Sequence, residues 1–565
     1  MSDPAKHVDR FGDRWMQIVW RRSPANIAER TRRRVTVHLL PFLFFLYILA
    51  YLDRVNVAVA QLGMTLPSSE RGLGLSRTAI GFGSGIFFIG YCILEIPSTL
   101  TVVRWGARWV FVRVLVLWGI CATLIGFIGL SAVGHLFAWL PQMPTNWSGL
   151  QGVAGFVNGL HDNPKYQFYF LRFMLGLFEG GFFPSVIMYL SLWFRAEDRA
   201  KAIALFMIAI PFSSAIGSPI STWLLGVDWF GLPGWRWIFI VEGIVPIIAG
   251  LVTIFFLPDR PEKALWLPAA ERDWLLGQLD AEHRSKRTIG HWAWVHHLGM
   301  VALLTCVYFG LNVPSYGIST FMPAIIKSQS GVGNPQVAGY LATIPFAIAF
   351  GAMLFNGWHS DRTGERVWHV SIPLAMLGAS WLLAAAFDRI PIVAVGIMMI
   401  MVGAFLYSHL PAFWPIPTMF LGAADAASAI GFINMLGNLG GFYGPNMVGA
   451  TVDQDIQLVD TLTTECTGQP LSEKEADQVE SLKQSIVGSG KLSDEECQQV
   501  GGLLDQVRAG TILEKASQKE LIRLLNKGAS FSQALRKLAI WPIMSAVIIL
   551  VVGYFRRRVP VSNSV

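Results

Sequence analysis

Charged residues are scarce in this sequence. Asp, Glu, Lys and Arg make up 14% of its 565 residues, whereas soluble globular proteins carry about 25%. A water-soluble fold of this length would lack a polar surface, and disordered and nucleic-acid-binding proteins are excluded more firmly still. The net charge of +7 reflects basic residues beside apolar segments, such as Arg32, Arg33 and Arg34, so we expect no nucleic-acid partner.

Motifs of enzymes and metal sites are missing as well. The sequence contains no nucleophile elbow, P-loop or HExxH motif, and its glycines do not form a dinucleotide fingerprint. Only five cysteines occur, without a Cys-x-x-Cys or Cys/His cluster, so we expect neither a metal nor a cofactor. An ATP-driven pump would need a nucleotide-binding domain, for which the chain has no room. The sequence therefore does not predict an enzyme.

Long apolar runs, by contrast, are abundant. Hydrophobic residues make up 53% of the chain, and runs of about 20 residues recur, each long enough to cross about 30 Å of hydrocarbon. They predict an all-α polytopic membrane protein surrounded by lipid. We place its twelve transmembrane helices near 37–64, 77–103, 109–130, 167–193, 200–225, 236–257, 298–326, 336–358, 368–387, 391–413, 424–451 and 538–556.

The distribution of Lys and Arg predicts the topology. Basic residues concentrate in alternate loops, which indicates that both termini are cytoplasmic. The cytoplasmic parts are then an N-terminal tail (1–36), a central loop (258–297) and a C-terminal tail (557–565). By parity, two hydrophilic insertions lie outside, at 131–165 and at 452–537. The second has helical spacing and is long enough for a small helical subdomain.

An internal repeat divides the chain into two halves. RWGAR and DRTGER resemble each other around Gly106 and Gly364, which are 258 residues apart. GSP and YGP end at Pro219 and Pro445, which are 226 residues apart, and the difference matches the extra loop of the first half. Two such halves around a central cavity are typical of secondary transporters. The predicted six-helix halves are 37–257 and 298–556.

The first predicted helix carries two charges within the membrane. Asp53 and Arg54 follow the apolar run Leu39–Leu52. Each charge costs at least about 2.5–3.5 kcal/mol at mid-membrane, so such residues normally face a bundle interior or a watery cavity. Adjacent residues point about 100° apart on a helix. The pair therefore serves either substrate or proton binding, or else a structural ion pair with another helix.

The fourth predicted helix carries a second such pair. Arg172 and Glu179 are two turns apart, which places them on one face about 10 Å from each other. Glu179 sits among Leu, Phe and Gly, and this apolar setting favours the protonated carboxyl. A carboxyl that gains a proton near an arginine that holds an anion would couple the two movements. The alternative is a permanent salt bridge between them.

Polar and aromatic residues mark three later helices. Asn312 and Tyr316 share a face, as do Asn434 and Asn438, and Trp414 lies between two prolines. These side chains could contact a substrate. The amides could equally form hydrogen bonds between helices, and the tryptophan could pack in the core. His409 is read as a hydrogen-bonded helix residue rather than a ligand.

These residues lie in segments that resemble a known family. The segments, which span about 36–451 and resume at 538, resemble the anion:cation symporter family of the major facilitator superfamily, and within it the bacterial tartrate, phthalate and hexuronate-type permeases. The quoted motifs are LAYLDRVNVAVA, GYCILEIPS, RFMLGLFEGGFFP, GWRWIFIVEG with LPDRPEKALWL, YFGLNVPSYGISTFMPAIIK, PAFWPIPTMFL and INMLGNLGGFYGP.

The resemblance implies alternating access, with an organic anion bound between the halves and moved with protons. It implies proton coupling by Asp53 and Glu179. For substrate binding it implies Arg54 and Arg172 and, as a weaker transfer, Tyr91, Asn312, Tyr316, Trp414 and Asn434.

Two features depart from the family. The loop VVRWGAR lacks the acidic residue that its second-half copy, SDRTGER, keeps. Ile210 and Pro211 stand where some sugar-acid carriers use a glutamine. The second departure argues against a sugar acid as the substrate.

We therefore expect a monomeric, proton-coupled importer of a small organic anion in a bacterial inner membrane. Arg54 and Arg172 would hold the carboxylate, while Asp53 and Glu179 would carry protons. Two alternatives stay open. One is a membrane sensor that uses the 452–537 subdomain to report ligand outside, and the other is a proton-driven exporter.

The two cysteines of the 452–537 insertion predict a disulfide. Cys466 and Cys497 are the only cysteines there, and compartments outside the membrane are oxidising. Their bridge would close a loop of about 30 residues and stabilise a small subdomain by roughly 3–4 kcal/mol. The alternative is two unlinked thiols packed separately on helices.

Overall fold

The structure is a computed structural model, and the predicted all-α architecture is confirmed: every regular element among the described residues is helical. Ten helical stretches of this part of the chain are long and apolar enough to cross a membrane. The remaining two predicted spans, near 200–225 and 424–451, contain the helices Ala209–Leu225, Ala423–Gly437 and Gly440–Glu465. The described residues are 26–144, 151–195, 198–199, 202–203, 206, 208–285, 297–330, 333–386, 392–421, 423–465, 479, 494–509, 513–514, 517, 520–521, 524 and 531–558.

The first half contributes six spans, of which the fourth is broken. Glu179 is the last residue of one helix, and Gly181, with φ of +86°, separates it from the next. Only glycine adopts that backbone conformation without strain. The helices are α1 (Ile27–Met64), α2 (Arg77–Trp105), α3 (Ala107–Ile125), α4 (Ser131–Leu136), α5 (Gln151–Gly159), α6 (Pro164–Glu179), α7 (Phe182–Ser191), α8 (Ala209–Leu225) and α9 (Gly234–Phe256).

Helix α10 (Ala269–Ser285) lies in the central loop that is predicted to be cytoplasmic, and the second half follows it. The eleventh predicted span, which belongs to the second half, is broken between Gly437 and Gly440. The helices of the second half are α11 (Leu298–Ser330), α12 (Pro335–Leu341), α13 (Thr343–Thr363), α14 (Val367–Ala385), α15 (Ile392–Leu406), α16 (Leu410–Phe413), α17 (Ala423–Gly437), α18 (Gly440–Glu465), α19 (Asp494–Arg508) and α20 (Ser532–Arg558).

Several helices extend beyond their predicted bounds. Helix α1 begins at Ile27 rather than at 37, because the Asn26 side chain caps it by accepting a hydrogen bond from the Ala28 amide at 3.1 Å. Helix α18 continues to Glu465 rather than ending at 451, so the 452–537 insertion begins as an extension of this helix. Residues of the insertion also form a small apolar cluster around Val500 and Leu504 of α19.

Glycines set the close packing of α2 against α6. A Cβ on Gly176 would lie 1.9 Å from the Phe87 carbonyl oxygen, and one on Gly90 would lie 2.3 Å from the Phe173 carbonyl oxygen. No side chain fits at such distances, so the two backbones touch. This contact brings Tyr91 of α2 beside the end of α6, where Glu179 lies.

The two halves are joined at the end of the bundle that is remote from Ile27. The Gln61 side-chain amide of α1 donates to the Thr320 carbonyl of α11. The Thr78 amide donates to Asp453 at 2.5 Å, and the Ser218 hydroxyl donates to the Gly339 carbonyl at 3.3 Å. These contacts link α1 to α11, α2 to α18 and α8 to α12, and they hold the two halves together at that end of the bundle.

Candidate functional site

A cavity lies between the two halves. Six predicted site residues line it: Arg54 and Tyr91 from the first half, and Asn312, Tyr316, Trp414 and Asn434 from the second. The remaining lining residues are Tyr47, Tyr51, Phe183, Ile210, Tyr308, Leu311, Ser315, Tyr407, His409, Leu410 and Asn438.

An ion pair lies at the wall of this cavity. Arg54 Nη2 donates to Glu179 Oε1 at 2.6 Å, and Arg54 Nε donates to the same oxygen at 3.1 Å. Glu179 is 1% exposed, and its other oxygen, Oε2, accepts no hydrogen bond from any described residue. The carboxylate is therefore held through a single oxygen, although an arginine–carboxylate pair can form two parallel bonds. This leaves room for a proton on Glu179.

Aromatic rings surround the Arg54 guanidinium. Its central carbon lies 4.9 Å from the Tyr51 ring centre, 5.2 Å from Tyr91 and 5.5 Å from Phe87. Its Nη1 atom donates to the Tyr316 hydroxyl at 3.2 Å. Cation–π contacts stabilise a desolvated guanidinium without neutralising its charge. Arg54 thus keeps the capacity to bind an anion if Glu179 releases it.

Arg172 and Asp53 lie beside this pair and, like Glu179, are not among the residues that line the cavity. Arg172 is 2% exposed. Its Nε and Nη1 atoms donate to the backbone carbonyls of Gly83 and Asp53 at 3.3 and 3.4 Å. Asp53 is 1% exposed, and its Oδ1 atom accepts from the Asn56 amide at 2.8 Å. Glu179 is paired with Arg54 of α1, while Arg172 ties α6 to α1 and α2.

The three asparagine amides of the second half that line the cavity fall into two groups. Asn312 donates to the Gly437 carbonyl at 3.1 Å and lies 3.5 Å from Asn438 Oδ1. Asn434 instead donates to Glu95 Oε1 of α2, in the other half. Asn434 and Asn438 both line the cavity, as expected for two residues on one helical face, and the Asn438 backbone amide donates to the Asn434 carbonyl at 3.0 Å.

Trp414 packs within an aromatic cluster at the edge of the cavity. Its ring centre lies 4.9 Å from that of Tyr308, which also stacks on Phe413 at 5.6 Å. The tryptophan therefore combines the two roles considered for it, because it packs on a neighbour and also lines the cavity.

Sequence reasoning missed several residues around the cavity. Six of the twelve tyrosines of the chain line it, and the spacing of Tyr47 and Tyr51 on α1 was a signal that could have found them. His409 was read as a hydrogen-bonded helix residue, yet it lines the cavity and its Nδ1 atom has no partner among the described residues.

Two further buried carboxyls lie in the family motifs, and no role was predicted for them. Glu95 lies one turn beyond Tyr91 on α2, and Glu242 of α9 accepts from the Ser221 hydroxyl at 2.6 Å. Each stands in an apolar run, which is the signal that identified Asp53 and Glu179.

The predicted disulfide stays a prediction. Cys466 lies outside the described residues, while Cys497 is half-buried in α19. Within the part of the chain that the structure describes, no group of three or more His, Cys, Asp or Glu residues could hold a metal ion.

Comparisons with known proteins agree with this architecture. Residues 43–445 match the family model described as "Major Facilitator Superfamily". A "Putative tartrate transporter" of Agrobacterium vitis is 39% identical over 427 residues, which are 75% of this chain and 85% of the relative. A "Quinolone resistance transporter" of Acinetobacter baumannii is 32% identical over 420 residues, which are 74% and 87% of the two chains.

A solved structure shares the fold. The crystal structure of a bacterial homologue of the human lysosomal transporter Spinster superposes with a TM-score of 0.60 at 14% identity, covering 92% of this chain and 97% of the other. The predicted fold of twelve helices in two halves is thereby confirmed. The chain belongs to the Major Facilitator Superfamily, and it is a multi-pass secondary transporter rather than an enzyme.

Proposed function

We propose that this transporter imports a small organic anion together with protons, by alternating access, across a bacterial inner membrane. The observation that carries the proposal is the Arg54–Glu179 ion pair at the wall of the central cavity. It joins a group that can bind a carboxylate to a group that can bind a proton. We further propose that the protein acts as a monomer with both termini in the cytoplasm.

The ion pair provides a physical basis for coupling. A substrate carboxylate and the Glu179 carboxylate compete for the same guanidinium. If the substrate carboxylate, Glu179 and Arg54 are all charged in the desolvated site, one of the two carboxylates has no partner, which costs free energy. A proton on Glu179 removes that cost, because the neutral acid releases Arg54 and the substrate takes its place. Binding of the anion thereby favours binding of a proton.

Asp53 and Arg172 form a second charged set behind the first. Because Arg172 does not line the cavity, we assign direct contact with the substrate carboxylate to Arg54. Arg172 then supplies positive charge beside Asp53, and its hydrogen bonds to two backbone carbonyls fix it there. Asp53 is the second candidate for carrying a proton, since its Oδ2 atom accepts no hydrogen bond from a described residue.

The rest of the lining suits a substrate with a polar or aromatic body. Tyrosine hydroxyls, the asparagine amides and His409 offer hydrogen bonds, while Trp414 and the tyrosine rings offer flat surfaces. A hydroxy-dicarboxylate, a sugar acid and an aromatic acid all combine a carboxylate with such a body. The relative named as a tartrate transporter supports the first of these classes.

The test is uptake by purified protein in proteoliposomes with an acidic exterior. A thermal-shift screen of carboxylates comes first, because a ligand that prefers the folded state raises its stability. Tartrate, galacturonate and phthalate represent the three classes. We expect one of them to accumulate against its gradient and the protonophore-treated control to equilibrate only. Equal uptake with and without the proton gradient would contradict proton coupling.

Export is the second candidate, because a relative is named a quinolone resistance transporter. The same vesicles separate the two directions. An exporter oriented as in the cell would drive its substrate out of the vesicle when the exterior is acidic, whereas an importer would drive it in. Accumulation of a carboxylate inside would therefore exclude export as the main activity for that substrate.

A further inference from the structure

Glu95 is a buried carboxyl that the coupling scheme above does not use. It is 4% exposed and lies on α2, one turn beyond Tyr91. One turn corresponds to about 5–6 Å along the axis. Because α2 runs back toward the end of the bundle where α1 begins, Glu95 lies on that side of Arg54. It is therefore placed between the cavity and the end with the N-terminus.

The partner of Glu95 comes from the other half. Asn434 Nδ2 donates to Glu95 Oε1, which joins α2 to α17. A second contact lies beside it, because the Cys92 thiol of α2 donates to the Met435 carbonyl of α17 at 3.0 Å. The Glu95–Asn434 pair thus belongs to an interface between halves rather than to the packing of one half.

These contacts differ in kind from the glycine contacts between α2 and α18. Nearer its start, α2 meets α18 through backbone contact: a Cβ on Gly81 would lie 2.3 Å from the Pro445 carbonyl oxygen, and one on Gly85 would lie 2.7 Å from the Phe442 carbonyl oxygen. At Glu95 the halves meet through side-chain hydrogen bonds. Water can replace such bonds when the halves separate, so their loss is largely compensated by hydration.

We propose that Glu95 and Asn434 form a latch that closes the cavity on the side of the N-terminus, and that opening of the transporter on that side breaks it. Asn434 also lines the cavity, so docking of α17 on Glu95 places this amide where a substrate lies. Glu95 is then a positioning residue that acts through Asn434. The proposal requires only that the two halves move, and it does not depend on which solute is carried.

Cys92 offers a native reporter of this latch. Its thiol lies one turn from Glu95 and is half-buried, with its hydrogen bond directed across the same interface. A protein that keeps Cys92 and has serine at the other four cysteines would report opening through its rate of reaction with N-ethylmaleimide. The measurement uses no substrate, so its outcome is independent of the proposed organic-anion import.

We expect Glu95→Leu and Asn434→Ala to speed the labelling of Cys92 by roughly tenfold, as removal of a hydrogen bond to a charged group favours the open form. Glu95→Gln keeps an acceptor for the Asn434 amide and should label within about twofold of the parent. Asn434→Asp places two carboxyls together and should label fast. Adding Glu95→Gln to Asn434→Asp restores a donor–acceptor pair and should slow labelling again.

Asn438→Asp is the matched control. It adds the same charge to the same cavity, but beside Asn312 rather than Glu95. Its labelling rate should not respond to Glu95→Gln. The latch is overturned if Glu95→Leu and Asn434→Ala both label like the parent. It is overturned equally if Asn434→Asp labels at the same rate with and without Glu95→Gln, a comparison that holds even where the leucine variant fails to fold.

Discussion

The two halves contribute different chemistry to one cavity. Among the described residues at the cavity and directly behind it, the carboxyls and guanidiniums come from the first half: Asp53, Arg54, Glu95, Arg172 and Glu179. The second half contributes amides, tyrosine hydroxyls, aromatic rings and one imidazole. The helical fold is therefore repeated in the two halves, whereas the charged side chains described at this site are confined to the first half.

The repeat makes this difference sharper at one position. The 258-residue offset between halves aligns Asp53 with position 311, and the residue there is Leu311, which lines the cavity. A second set of buried charges would carry a second desolvation cost and would repel or neutralise the first. We therefore propose a division of labour, in which the first half binds protons and carries the charge and the second half recognises the body of the substrate.

Loss of the Glu179 carboxyl, the proposed proton carrier, should have the largest effect. We expect Glu179→Gln to abolish proton-driven accumulation while substrate exchange persists, because the amide imitates a protonated acid but cannot release a proton. Accumulation under a proton gradient and counterflow exchange are measured on the same proteoliposomes. The matched control is Glu242→Gln, which alters another buried carboxyl of the first half that accepts a hydrogen bond from Ser221 rather than from Arg54.

The control separates coupling from general damage. Glu242→Gln should still accumulate substrate, since a glutamine can also accept the Ser221 hydrogen bond. If Glu179→Gln accumulates substrate as the parent does, Glu179 does not couple transport to protons.

The two arginines should respond differently to lysine. Arg54→Lys replaces a planar donor that faces the cavity, and we expect substrate affinity to fall by about tenfold or more. Arg172→Lys removes the hydrogen bonds to Gly83 and Asp53, so its main effect should be a lower melting temperature, with a smaller loss of affinity. Binding titrations and thermal unfolding measure the two effects. Unchanged affinity in Arg54→Lys would leave this arginine a structural role only.

Much of this site could be predicted from the sequence because charges inside apolar runs are conspicuous. Asp53, Arg54, Arg172 and Glu179 stand out in that way, and their spacing along each helix follows from the sequence. Spacing does not reveal which helix lies opposite. Glu179 was considered as a partner of Arg172, two turns away, whereas it binds Arg54, which is 125 positions away in the chain.

Other features depend on tertiary structure and could not be read from the pattern. Asn434 and Asn438 share a helical face, as their spacing predicts, but the spacing does not reveal that one amide binds Glu95 and the other lies beside Asn312. Glu95 has its partner 339 positions away, in the other half. The extension of α1 to Ile27 was missed for another reason, since a charged helical turn outside the hydrocarbon has no apolar signal.

An amide of the second half should give the smallest effect and the clearest test of the division of labour. Asn438 lines the cavity and lies 3.5 Å from Asn312, so Asn438→Ala removes one neutral hydrogen-bonding group without touching a charge. We expect the affinity for individual carboxylates to change by about threefold, which corresponds to a neutral hydrogen bond, and the ranking among tartrate, galacturonate and phthalate to shift. The accumulation ratio at saturating substrate should stay that of the parent, because the proposed proton carriers are intact.

Asn446→Ala is the matched control, as this asparagine lies on α18 outside the cavity lining and donates to the Phe442 carbonyl at 2.8 Å. A lower accumulation ratio in Asn438→Ala, with Asn446→Ala unaffected, would mean that the second half also takes part in proton coupling.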